Sequence, residues 1–558
     1  MTKSLKIAIA QINATVGDIA GNRDLVAAAY ARAEEDGTDL VLFPELVITS
    51  YPPEDLILKP AFRAEAYEAL KALTALTRGK NAAMLVGCPY AGNDNIYNAL
   101  YLLGEGKILH RQFKVHLPNY GVFDEKRIFS EGPMPEVVPF RGITLGLLVC
   151  EDMWYADIAG HLKQQGADIL ITPHASPFED AKRDVRIMHA KARVAETGLP
   201  LVFVNQVGGQ DELVFDGSSF VLDKSGRRIA QLKEFEEDYQ VLEVVKNGTW
   251  AVRPGVMAAL PEGTEQLYRA LMYGLREYVG KNKFPGVLIG LSGGVDSALT
   301  AALAVDALGP GCVDTVMMPS PYTRPESFAD AKACAKKLGI KYDIIEITPM
   351  METFEGALAK SFKGLAEDTT EENIQARIRG ILLMALSNKF GKMVLATGNK
   401  SEMSVGYSTL YGDLCGGFAV LKDVYKTKVY ELGRWRNQNL PSGGLGPKGK
   451  VIPENTFTRA PSAELKPGQT DQDSLPPYEV LDDILHGFIE EDKSIDEVVA
   501  QGHDAGTVAK VEKMLYVAEY KRRQAPPGVK ITRRLFGRDR RYPIVNAFRD
   551  RPGTGKRK

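Results

Sequence analysis

The stretch Gly286-Val-Leu-Ile-Gly290-Leu291-Ser292-Gly293-Gly294-Val295-Asp296-Ser297-Ala-Leu-Thr300 decides how the second half of this chain folds. An apolar run breaks at two consecutive glycines and resumes with small, helix-compatible residues. That order reads as strand, tight turn, helix. Glycines let a main chain approach an anion closely, and N–H groups at a helix N-terminus turn partial positive charge toward it. The hydroxyls of Ser292 and Ser297 add donors. Asp296 would repel phosphate unless a Mg²⁺ ion is shared between its carboxylate and the phosphate oxygens. No Gly-Lys-Ser/Thr follows, so the turn is not a Walker A loop, and it lacks the spacing of the dinucleotide fingerprint.

Outward from this turn, Val313–Met318, Tyr342–Ile347 and Met393–Thr397 read as further strands of an α/β series, a doubly wound parallel sheet. Thr397 ends its strand, where open α/β sheets place ligands. Glu402 follows in Leu395-Ala-Thr397-Gly-Asn-Lys-Ser-Glu402 at a distance suited to a second metal ligand beside Asp296. Residues 440–477 are dense in Gly, Pro, Ser and Thr. A loop that long is uncommon and usually functional or mobile, and it reads as an active-site cover. Residues 553–558 read as a solvated basic tail.

The first half is also α/β. Leu5–Ile12, Leu40–Phe43, Ala83–Cys88, Leu145–Cys150, Ile169–Thr172 and Leu201–Gln206 read as strands. Asn22–Asp36 and Ala61–Arg78 carry apolar residues at helical spacing. Ser218–Asp223 and Gln240–Val245 add two more strands. Residues 247–263, rich in Gly and Pro, read as a linker. The expected organisation is one domain over 1–246, the linker, and a second domain over 264–558.

Bulk properties narrow the classes. A chain of 558 residues is too long for one ordinary core. Its net charge of −2 gives no global attraction to nucleic acid, so any phosphate site must be local. No run approaches the ~20 apolar residues of a membrane span, and the N-terminus reads as a first strand rather than a signal peptide. The five cysteines are scattered and form no C-x-x-C pair. A disulfide framework is therefore not expected, and the cytoplasm is the default compartment.

Three segments of the first half each end an apolar run on a reactive residue: Val41-Leu-Phe-Pro-Glu45, Arg111-Gln-Phe-Lys114 and Leu145-Gly-Leu-Leu-Val-Cys150. Taken singly, Glu45 reads as a turn residue, Lys114 as surface and Cys150 as a small core residue. Together they suit amide cleavage. A thiolate attacks, a carboxylate moves the proton from thiol to departing ammonia, and an ammonium with backbone N–H groups stabilises the oxyanion.

In this order and with these flanks, the three segments resemble the nitrilase (carbon–nitrogen hydrolase) superfamily. The turn at Ser292–Ser297 resembles the Ser-Gly-Gly-x-Asp-Ser loop of the N-type ATP pyrophosphatases. A nitrilase-type half before a pyrophosphatase-type half resembles the glutamine-dependent NAD synthetases. Ser404–Asp413, Pro461–Asp471 and Tyr520–Pro527 extend the likeness over nearly the whole chain.

The resemblance implies an αββα sandwich followed by an adenine nucleotide α-hydrolase-like domain. It implies ATP and Mg²⁺, with small-molecule substrates only, and a homo-oligomer is expected. By the same matching, Glu45, Lys114 and Cys150 are catalytic and Glu125 is a supporting carboxylate. Tyr120, Ser176 and Lys182 contact glutamine. Gly290–Ser297 and Thr397 contact ATP, Asn373, Glu402 and Lys521 contact deamido-NAD, and Asp296 and Glu402 hold the metal. The reaction implied is adenylation of the deamido-NAD carboxylate, then its amidation by ammonia from glutamine, and an enclosed route for that ammonia is a reasonable expectation. Three alternatives stay open: a ligase of the same loop type with another carboxylate acceptor, a plain amidase whose second half senses nucleotide, and a non-enzymatic nucleotide-binding scaffold.

Overall fold

A computed structural model describes residues 4–92, 95–550 and 553. The basic tail expected over 553–558 therefore lies outside them except for residue 553. The chain divides into two compact units, Met1–Pro261 and Glu262–Lys558.

The first unit is built on strand alternation. In Ser4–Gln11, Leu5, Ile7 and Ile9 face one core while Ala8 and Ala10 face another. The same two-residue period splits Leu40 and Leu42 from Val41 and Phe43. A seven-stranded sheet and a six-stranded sheet turn their Leu, Ile and Val faces to each other. The outer face of the seven-stranded sheet is covered by helices Ile19–Glu35 and Pro60–Leu76, through Val26, Tyr30, Leu70 and Leu73. The outer face of the other is covered by Ala156–Gln164 and Lys182–Thr197, through Ile158, Leu162, Ala190 and Val194. The result is the αββα sandwich.

Several details differ from the sequence reading. Asn95–Gly104 and Lys107–Phe113 form an antiparallel meander with Ala83–Gly92 at one edge of the seven-stranded sheet. Thr249–Val252, inside the stretch read as a linker, pairs antiparallel with Asp238–Asn247 at the other edge. A strand of four residues is too short for its period to register. The strand expected to run to Cys150 stops at Leu147. Cys150 instead opens a short 3₁₀ turn, Cys150–Trp154, at φ +46°.

The second unit carries a five-stranded, wholly parallel sheet. From Val287–Gly290 the chain builds outward through Val313–Met317 and Lys341–Ile344. It then returns to the other side of the same strand with Met393–Ala396 and Phe418–Ala419. The strand order reverses there, and the crevice at its carboxyl end is where such sheets bind ligands. The helix after the turn, Val295–Leu308, is buried along nearly its whole length, as an all-round apolar helix must be. Helices Tyr478–Ile489, Ile495–Val499 and Ala505–Val517 pack on one another around a separate apolar cluster that includes Phe536. No helix of the described residues is long and apolar enough to cross a membrane.

Candidate active sites

In the first unit, Glu45, Lys114 and Glu125 meet out of water. Lys114 Nζ donates to Glu45 Oε1 at 2.8 Å and to Glu125 Oε1 at 2.8 Å. Their side chains are between 0% and 3% exposed. Each arrives from a different element. Glu45 follows strand Leu40–Leu42, Lys114 follows Lys107–Phe113, and Glu125 opens a 3₁₀ turn. The Glu45 main chain passes so close to strand Ala83–Gly92 that a Cβ on Gly87 would lie 2.2 Å from Leu46 N. Only glycine fits there.

Glu45 is oriented from two further sides. Asn98 Nδ2 donates to Oε1 at 2.7 Å, and Ala175 N donates to Oε2 at 3.0 Å. Tyr51 Oη donates to Glu125 Oε1 at 2.8 Å. Two of the three N–H bonds of Lys114 are spent on carboxylates; the third is what an oxyanion would take. Burial works against the Lys114 charge, but Glu125 and Glu45 outweigh it and hold the ammonium well above its ordinary range. Losing one carboxylate would leave the ammonium on the other, and losing both would strand a buried charge, a defect worth about 3–5 kcal/mol.

Cys150 is buried within reach of these charges. Burial, with the Glu45 carboxylate beside it, pushes the thiol well up, while Lys114 pulls it down. Cys150 therefore rests as a thiol, and its attack on an amide would require a base to accept its proton. Its left-handed φ is a strained choice for a side chain with a Cβ, a kind of strain that clusters at functional sites.

Burial pushes Glu125 up to about 7, against the pull of Lys114 and with repulsion from Glu45. Protonation happens on lowering the pH, and a neutral Glu125 holds Lys114 less firmly. Amide hydrolysis, the chemistry this arrangement suits, should therefore fall on the acid side with a midpoint near 7, measured as initial rates between about pH 8 and about pH 6. A flat profile across that window would contradict the role of this carboxyl.

Of the residues matched to glutamine, Tyr120 and Lys182 both act on Glu151. Tyr120, half exposed, donates to Glu151 Oε2 at 3.0 Å. Ser176 is buried, its Oγ held by Arg186 Nε at 3.0 Å and its N–H by Asn205 at 2.9 Å. Lys182 begins helix Lys182–Thr197, with Nζ 5.6 Å from the Phe123 ring, and its charge acts on Glu151. Glu151, next to the nucleophile, was not singled out in the sequence; the adjacent pair Cys150-Glu151 was the available signal.

In the second unit, the turn after Val287–Gly290 is knit by its own serines. Ser292 Oγ and Ser297 Oγ lie 3.0 Å apart, and Gly294 N donates to Ser292 Oγ at 3.3 Å. Gly293 sits at φ +84°, and a Cβ there would fall 2.2 Å from Ser327 O. The turn walls a cavity of about 300 Å³ that Thr397 and Glu402 also line.

Asp296 and Glu402, expected as metal ligands, do converge, and an ammonium stands between them. Lys426 Nζ donates to Asp296 Oδ2 at 2.5 Å and to Glu402 Oε1 at 3.1 Å. Asn399, the N-cap of helix Lys400–Val405, donates to Asp296 Oδ1 at 2.9 Å. Burial pushes Glu402 up to about 7 even with Lys426 beside it. No group of three or more His, Cys, Asp or Glu arranged to hold a metal occurs among the described residues. Mg²⁺ takes waters and phosphate oxygens for most of its ligands, and Lys426 already occupies the place between these two carboxylates. Lys426 escaped the sequence reading because its partners are 130 and 24 residues away.

Asn373 and Lys521 are not on the cavity wall. They grip the segment beside it: Thr409 Oγ1 donates to Asn373 Oδ1 at 2.7 Å, and Lys521 Nζ donates to Ser408 O at 2.7 Å. That segment supplies Ser408 and Asp413 to the wall. The long stretch over 440–477 holds little regular structure beyond Asn455–Thr458 and Asp471–Asp473, yet it is fastened across the turn. Arg459 Nη2 donates to Gly293 O at 2.9 Å, and Ser327 Oγ donates to Glu464 Oε1 at 2.5 Å.

Comparison with known proteins follows the same division. Residues 6–253 match the carbon-nitrogen hydrolase family model, and residues 267–525 match the NAD synthase model. A glutamine-dependent NAD(+) synthetase of Rhodobacter capsulatus is 47% identical, covering 99% of this chain and 100% of that one. The protein of that name from Thermotoga maritima is 44% identical, covering 98% of this chain and 100% of that one. A solved structure of the glutamine-dependent NAD+ synthetase from Acinetobacter baumannii, in complex with adenosine diphosphate, superposes with a TM-score of 0.78. It is 41% identical and covers 98% of this chain and 100% of its own.

Proposed function

This chain belongs to the family of glutamine-dependent NAD(+) synthetases, and from that premise we propose how its residues share the work. The activity is ATP-dependent amidation of deamido-NAD with nitrogen taken from glutamine. The observation that carries the residue assignment is the buried convergence of Glu45, Lys114 and Glu125 beside the Cys150 thiol.

Cys150 Sγ attacks the glutamine carboxamide carbon and its proton passes to Glu45. Lys114 holds the oxyanion that forms. Collapse breaks the C–N bond, Glu45 returns the proton to the leaving nitrogen, and ammonia departs from a thioester. Water, deprotonated by Glu45, then opens the thioester to glutamate and the thiol. Tyr120, Ser176 and Lys182 bind the amino-acid end of glutamine; a hydroxyl anchored by Arg186 and a lysine whose charge acts on Glu151 support that placement.

In the second unit, Gly290–Ser297 and Thr397 hold ATP. The deamido-NAD carboxylate attacks the α-phosphorus and pyrophosphate leaves. Ammonia attacks the resulting acyl-adenylate and AMP leaves. Magnesium, held by Asp296 and Glu402, would offset the charge on the phosphates. Glu402 contacts deamido-NAD, while Asn373 and Lys521 act on it through the segment they fix beside the cavity. Residues 440–477 cover the site. A homo-oligomer in the cytoplasm completes the proposal; five free cysteines are consistent with a reducing compartment.

Mass balance tests this reading. With deamido-NAD, ATP and glutamine, the expected products are NAD, AMP, pyrophosphate and glutamate in equal amounts. Glutamate without AMP would mean a plain amidase, and AMP without NAD would mean another acceptor.

A further inference from the structure

The nucleophile and the lysine reach their site from opposite sheets. Lys114 follows a strand of the seven-stranded sheet, and Cys150 follows Ile143–Leu147 of the six-stranded one. Apolar packing between sheets sets their spacing only loosely, because it is not directional. Gln112 Nε2 donates across to Leu147 O at 2.6 Å, and one carboxylate adds directional links at the two catalytic segments themselves. Asp152 is fully buried. Its Oδ1 accepts Val115 N at 3.1 Å and His116 N at 2.8 Å, the two residues after Lys114. Its Oδ2 accepts Val149 N at 3.0 Å, the residue before Cys150.

We propose that Asp152 is a positioning residue for amide cleavage: its carboxylate struts the lysine-bearing segment to the cysteine-bearing turn and holds Cys150 in its left-handed conformation. The bond to Val149 N closes a small ring across Cys150, and Asp152 N donates back to Val149 O at 3.1 Å. The nucleophile's φ of +46° is thus clamped from both sides. The other oxygen fixes where the chain goes immediately after Lys114. With both oxygens engaged by main-chain N–H groups, Asp152 acts through its neighbours rather than on glutamine. This inference rests on the proposed roles of Cys150 and Lys114.

The test is Asp152→Asn in the full chain. The substitution keeps the shape, but an amide N–H₂ must now face a main-chain donor, so at least one of the three bonds is lost. Misplacement by about 1 Å can cost on the order of 10²-fold in rate. The expected result is a kcat for glutamate release down roughly 10- to 100-fold, a KM for glutamine close to that of the parent, slower alkylation of Cys150 by iodoacetamide, and ammonium-dependent NAD synthesis at the parental rate. A parental kcat, or a loss carried by KM alone, overturns the proposal. Should Asp152→Asn also lose ammonium-dependent synthesis, Asp152→Glu decides. It keeps the charge but overreaches by one methylene, and parental glutamate release from it overturns the proposal. A Cys150→Ala chain still using glutamine would instead sink the underlying assignment, and so the two failures are told apart.

Discussion

Cys150→Ala should lower glutamine-dependent NAD synthesis by ~10⁴-fold or more, the scale seen when a covalent nucleophile is removed, while synthesis from added ammonium salts continues at close to the parental rate. The asymmetry follows from the division of the chain. Cys150 sits in a turn of the first unit, and the adenylating cavity is lined by residues of the second. Ammonia supplied from solution bypasses the thioester and leaves the second step untouched. Alanine also fits the turn with little disturbance, because the thiol is a small buried group. The measurement is NAD formed with glutamine and, separately, with an ammonium salt. Loss of both would mean that the two activities cannot be separated as proposed.

Asp296→Ala should act on both nitrogen sources alike, lowering NAD formation on the order of 10³-fold, about 4 kcal/mol in barrier. Asp296 takes Asn399 on one oxygen and Lys426 on the other. Its removal deletes the proposed metal ligand and releases the lysine from its closest carboxylate. Asn399 also caps the helix that carries Glu402, so the second carboxylate loses part of its setting. The decisive measurement is NAD and AMP formed from deamido-NAD and ATP with ammonium as the nitrogen source. NAD formation within a few-fold of the parent would refute the assignment to metal and phosphate.

Most of the architecture was legible because it rests on local pattern. The two-residue period of Leu5–Ile12 and the glycine break at Ser292–Ser297 are written within a few consecutive residues. The meander strands Asn95–Gly104 and Lys107–Phe113 and the strand Thr249–Val252 were not, since their pairing partners rather than their own period make them strands. The same distinction runs through the sites. Glu45, Lys114 and Cys150 each close a recognisable apolar run. Asn98, Tyr51 and Lys426 act on partners 53, 74 and 130 residues away, and no short motif encodes such a meeting. Asp152 stood in plain view two positions from the nucleophile, yet its contacts with Val115 and His116 exist only once the sheets are stacked.

The stacking of the two sheets has a consequence for heat and wear. Glu45 and Lys114 ride on one wall of the sandwich and Cys150 on the other, so amide cleavage as proposed depends on the gap between the walls. Truncating an inter-sheet side chain such as Leu145 or Ile171 leaves a cavity worth about 2–5 kcal/mol. That cost need not unfold the unit before it detunes the chemistry. On the proposed roles, glutamine-dependent synthesis is expected to fall in such a variant before the unit unfolds, with ammonium-dependent synthesis holding near the parental rate.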